Sequence, residues 1–254
     1  MRRVFGALAL AAALAGPAAA QTPDDLYAAG KYEDAVAAGT AANTPEGLEI
    51  ATHAAFAAAM LKDKPCLECL QRAEALARRA IAADPKRPAP HVYLAGILGY
   101  EGRIVGMVQA KLNGYPEEAK REIDTALARD PDDPRALAAR GGWNLAIVAT
   151  GGATMADWIY GAGTDQGRAD FAKALKLAPD DATLRLQYAL SLSALDRDGY
   201  RADIQSALER AQTGTPRTAY DKVSQTRALA LLNLLKANKL DAYDALVRKF
   251  EGYP

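Results

Sequence analysis

The stretch Ala119–Pro134, AKREIDTALARDPDDP, carries the spacing on which the fold turns. Alanine stands at 119, a bulky residue at 123 (Ile123), alanine again at 126, and Pro131 follows an aspartate. The frame recurs at Ala73, Ala77, Ala80 and Asp84–Pro85, at Gly167, Phe171, Ala174 and Pro179, and more loosely at Ile204, Leu208, Ala211 and Pro216. Residues four and three apart share one helix face. Small side chains there admit a second helix closely, and proline stops the helix because it lacks an N–H. Four copies of one helix and its stop imply a repeat array.

Composition agrees with that reading. Half of the 254 residues are hydrophobic, yet aromatics are only 7 %, so close helix approach must build the core more than large side chains do. The alanine content favours helix, since alanine loses no side-chain entropy there. Alternating runs of Val, Ile and Thr are missing, so no strand is expected.

The N-terminus has a different character. Met1-Arg2-Arg3 is basic, Val4–Gly16 is apolar, and Pro17-Ala18-Ala19-Ala20 precedes Gln21. That order predicts a secretory signal peptide over residues 1–20, cleaved after Ala20, with 21–254 as a single helical-repeat domain in the periplasm or outside the cell. The apolar run is short for a bilayer span, and no later run suffices, so no transmembrane segment is expected after cleavage. Residues 21–254 then carry 29 basic and 31 acidic side chains, a net charge of −2. Such a chain has no general attraction for nucleic acid.

Cys66 and Cys69 are the two cysteines. In an exported chain the first reading is a local disulfide pinning the start of a helix. Free thiols are the second, and redox or metal chemistry the third. Haem attachment would need histidine where Leu70 stands. A zinc site would need further ligands, and His53 and His91 are the only histidines. No metal and no cofactor is expected.

The intervals between helix stops give the organisation. Pro85 to Pro131 is 46 residues, Pro131 to Pro179 is 48, and Pro179 to Pro216 is 37. A plain helix–turn–helix unit is about 34 residues. The two central units therefore carry about a dozen extra residues each. In the first, the surplus fits a longer leading helix, from Tyr100 to Leu112. In the second it falls in the glycine-rich insertion 150–163. The more polar helices across 217–250 would cover the open end of the array.

These residues resemble the tetratricopeptide repeat (TPR) superfamily. Small residues stand in first helices (Ala95, Gly141, Ala189), a Gly-x-Tyr turn runs from Gly30 to Tyr32, alanine occurs twice in second helices, and proline closes them. The match covers most of 24–216. It departs in the overlong central units, in glycine at 167 for alanine, and in the aromatic missing early in most first helices. The resemblance implies an all-α, right-handed superhelical array of five to six antiparallel helix pairs, and a divergent exported bacterial member. It implies a binding scaffold and not a chemistry.

In that family, first helices line a concave face. Carried over, Tyr93, Tyr100, Arg140, Trp143, Asn144, Arg185 and Tyr188 are the candidate contacts. Trp143, flanked by Gly141 and Gly142, reads either as core or as a groove contact. The insertion adds Trp158 and Tyr160, which could form a binding loop or plug the gap between helix pairs. Catalytic signatures such as Gly-x-Ser-x-Gly and His-Glu-x-x-His do not occur, so no enzyme is expected. Asp132-Asp133 and Asp180-Asp181 read as helix caps. The expected function is an exported scaffold binding a protein or peptide partner in an open groove. The alternative is a small-molecule-binding accessory of a periplasmic solute transport system, with a cavity lined by Trp143, Trp158 and Tyr160.

Overall fold

The structure, a computed structural model, describes residues 21–254, and the expected signal peptide lies outside them. The described residues form fourteen helices: α1 (Pro23–Ala28), α2 (Tyr32–Ala42), α3 (Pro45–Met60), α4 (Leu67–Ala83), α5 (Pro88–Val105), α6 (Met107–Leu112), α7 (Tyr115–Arg129), α8 (Pro134–Gly151), α9 (Ala153–Tyr160), α10 (Thr164–Leu177), α11 (Ala182–Asp196), α12 (Arg201–Arg210), α13 (Ala219–Lys236) and α14 (Leu240–Phe250). They pack as six pairs, α1–α2, α3–α4, α5–α7, α8–α10, α11–α12 and α13–α14. The fold is an all-α helical-repeat array.

Local chemistry sets the helix starts. Thr44 Oγ1 accepts from the Gly47 N–H, with Pro45 in the first turn of α3. Asp133 and Asp181 cap α8 and α11, as their positions beside helix-ending prolines implied. Thr218 and Asp221 form a capping box at α13. A disulfide joins Cys66 and Cys69 at the start of α4, where the Cys66 sulfur accepts from the Cys69 N–H.

The repeated frame is the buried seam. Ala73, Ala77, Ala80, Ala126, Ala174, Ile204, Leu208 and Ala211 are fully buried, and Ala119, Ile123 and Phe171 nearly so. First helices pack on the first helices of the next pair, α1 on α3, α3 on α5, α5 on α8, α8 on α11 and α11 on α13. Second helices instead pack mainly on first helices. The array therefore curves with its first helices inward, and α13 comes round to touch α1.

The extra length of the central units takes one form in both. The leading helix expected to continue to Leu112 stops at Val105, and the insertion expected as a loop is the helix α9. The break is Gly106 (φ 85°, ψ 159°) in one unit and Gly152 (φ 77°, ψ 157°) in the next. This backbone conformation is open to glycine and strained for other residues. Gly106 and Gly152 are 46 residues apart, the Pro85–Pro131 interval, so α6 and α9 are equivalent insertions in consecutive repeats.

Candidate functional site

Two surfaces are candidates for a site: the inner face, and the edge built by α6 and α9. On the inner face, His53 of α3 is stacked between Tyr27 (ring centroids 4.1 Å) and Tyr93 (4.6 Å). Its Nε2 lies 2.8 Å from the Tyr27 hydroxyl. Burial, with the positive Arg135 nearby, pushes the His53 pKa down to about 3, so the ring is neutral. Burial also pushes the Tyr93 hydroxyl up to about 12. Arg135 itself is exposed at the N-terminal end of α8.

The expected open groove is partly filled by the chain's own C-terminus. Arg103 of α5 lies 4.6 Å from the Tyr100 ring and 5.9 Å from the Tyr253 ring, and its Nη2 is 3.9 Å from Glu251 Oε1. Glu251 is buried, and that burial raises its pKa against the pull of Arg103 and Arg248. Gly252 packs so closely that a Cβ there would stand 3.0 Å from Tyr100 Cδ1. Arg227 of α13 stacks on Phe250 (4.9 Å) and donates to the Met60 carbonyl (2.7 Å). Beside this contact is a cleft of only about 30 Å³ between Tyr100, Gly252 and the α3–α4 turn.

The residues expected to line one groove divide among several roles. Tyr93 and Tyr100 are inner-face residues, mostly covered. Arg140 makes a bidentate ion pair with buried Asp170 (2.8 and 2.7 Å), tying α8 to α10. Asn144 donates to the Arg140 carbonyl and accepts from the Gly163 N–H, pinning the end of the insertion. Arg185 is buried on the Pro179 carbonyl, and its desolvation lowers its pKa. Tyr188 packs on Phe171 (4.9 Å). Trp143 donates to the Pro116 carbonyl (2.9 Å) and meets Tyr160 edge-on (6.0 Å). Trp158 joins neither its neighbours nor a cavity: it is 81 % exposed.

Trp158 belongs to the edge. Met107, Val108 and Leu112 of α6 and Met155, Trp158 and Ile159 of α9 are all exposed. Lys111 of α6 reaches 4.8 Å from the Tyr160 ring of α9, so the C-terminal ends of the two insertions come near each other. Arg103, Arg227, Glu251 and the α6 side chains were not singled out by sequence. The equal spacing of Gly106 and Gly152 was the available signal for α6.

Glu101 is a buried group without a role in either surface. It is fully buried on α5, and neither carboxylate oxygen has a hydrogen-bond partner among the described residues. Burial, then the negative Glu74, push its pKa up to about 7, against a smaller opposing pull from the nearby Tyr115 hydroxyl, which falls short of hydrogen-bond geometry, and from Arg78. A carboxyl raised in the folded state binds its proton where the unfolded chain has lost it. Stability is then highest below the unfolded pKa and falls as pH rises towards about 7. Urea titrations at pH 5 and pH 8 should show the wild type losing on the order of 2–3 kcal/mol more than Glu101→Gln across that interval. Parallel losses in both proteins would exclude Glu101 as the cause.

No curated protein matches the chain. The family model for regulator of microtubule dynamics protein 1-3 matches residues 24–239, most of the described fold. By that match, the chain belongs to the regulator of microtubule dynamics protein 1-3 family.

Proposed function

We propose that this chain is an exported TPR-like scaffold whose inner face binds a peptide segment of a partner protein. The carrying observation is that residues Phe250–Tyr253 already lie against Arg227, Tyr100 and Arg103 as a peptide would. Aromatic rings and arginines give contact area and polar anchoring in one place. The preferred segment resembles the chain's own terminus: an aromatic residue, an acid, a glycine and a second aromatic.

The family's name, regulator of microtubule dynamics, favours binding over chemistry. The Cys66–Cys69 disulfide fits an oxidising compartment, as does the signal-like order of residues 1–20. There the partner would be an exported or envelope protein. A carrier of small molecules has less support, because pockets for such ligands are typically ~300–1,000 Å³, far above the cleft beside Tyr100.

The test is competition. A labelled peptide of residues 246–254 should bind a chain ending at Lys249 at least ~10-fold more tightly than the full chain, because the tethered terminus competes in the latter. Arg103→Ala should weaken that binding. A shortened chain with an unchanged helical spectrum and no affinity for the peptide would sink the proposal.

A further inference from the structure

The edge formed by α6 and α9 inverts the usual pattern of a surface helix. Their inward positions hold Ala110 and Ala156, both buried, while their outward positions hold the large apolar side chains. Leu112 is 75 % exposed and Val108 70 %, in company with Trp158. Six large apolar side chains exposed to this degree on two neighbouring short helices differ from the singly scattered exposed apolar residues normal on a monomer.

Two further features narrow the occupant. Across 106–112 and 152–161 the only charged residues are Lys111 and Asp157, of opposite sign, and Lys111 is already paired with Glu117. A helix lying on a membrane carries Lys and Arg along its polar face, and this edge has no such row. A nearly neutral patch can face itself without bringing like charges together. The patch also has two similar halves, one from each of two consecutive repeats. In a two-fold interface residue i meets j while j meets i, so α6 of one copy can lie on α9 of the other.

We propose that the α6–α9 edge is the self-association surface, covered in solution by the same edge of a second copy. It stands apart from the inner face and does not depend on what that face binds. Light scattering of the full exported chain after size exclusion, at roughly 1 to 100 µM, should give twice the monomer mass. Trp158→Glu and Leu112→Glu, both at exposed sites, should each weaken association at least ~10-fold while leaving the helical spectrum unchanged. A wild type that stays monomeric throughout the range would overturn the proposal. So would association that survives both substitutions, or Trp158-dependent flotation of a monomeric chain with neutral phosphatidylcholine vesicles, which would make a bilayer the occupant.

Discussion

Replacing Arg140 with methionine should cost about 3–5 kcal/mol of stability, the range for leaving a buried charge without its partner. Asp170 is almost fully buried, and both its oxygens are held by the Arg140 guanidinium. After the substitution only the long contacts from Gln166 Nε2, 3.4 and 3.5 Å, would remain. The reverse change should cost less. Arg140 is a third exposed and can turn to water when Asp170 becomes asparagine. Arg140→Met with Asp170→Leu should recover most of the loss, because an apolar pair replaces a buried ion pair at little cost. Urea unfolding of the three variants measures this directly. A loss below about 1 kcal/mol for Arg140→Met would show that the pair behaves as a surface bridge.

Gly141 and Gly142 are neighbours in α8, and alanine should act on them in opposite directions. A Cβ at Gly141 would stand 2.7 Å from Phe171 Cδ2 and 2.8 Å from the Gly167 carbonyl oxygen. The carbonyl belongs to the α10 backbone and cannot swing aside, so α8 and α10 would have to separate. Gly141→Ala should therefore destabilise the chain by about 2–3 kcal/mol. At Gly142 the nearest atoms to an added Cβ are 3.8 Å away, an ordinary contact. Gly142→Ala should stabilise by roughly 0.5–1 kcal/mol through helix propensity. Thermal and urea denaturation of both variants checks the pair of signs, and a destabilising Gly142→Ala would contradict the geometry.

The same contact explains an irregularity in the repeat. Glycine replaces alanine at 167 because the α8 backbone passes there: a Cβ on Gly167 would lie 2.9 Å from Leu145 and 3.0 Å from the Gly141 carbonyl. In the sequence this reads as a departure from the family pattern. In the structure it is half of a glycine-to-glycine crossing between paired helices.

Much of the architecture is legible in the sequence. Small residues at fixed spacing, aspartate caps and proline stops act within a few residues of themselves, so the sequence states them locally. They determined the all-helical repeat, and the cysteine spacing agreed with the bridge that pins α4. The candidate site was less legible. Tyr93 and Tyr100 are largely covered by their neighbours, and Arg140, Asn144 and Arg185 satisfy partners within the protein. A side chain's type does not reveal whether its partner is a neighbour or a ligand. Only the tertiary structure decided that the C-terminus returns to the inner face, where Arg227 meets Met60 across 167 residues. It also decided that two separate insertions share one apolar edge. Both depend on the curvature of the array, which is the sum of small offsets between successive helix pairs and which no local pattern of residues encodes.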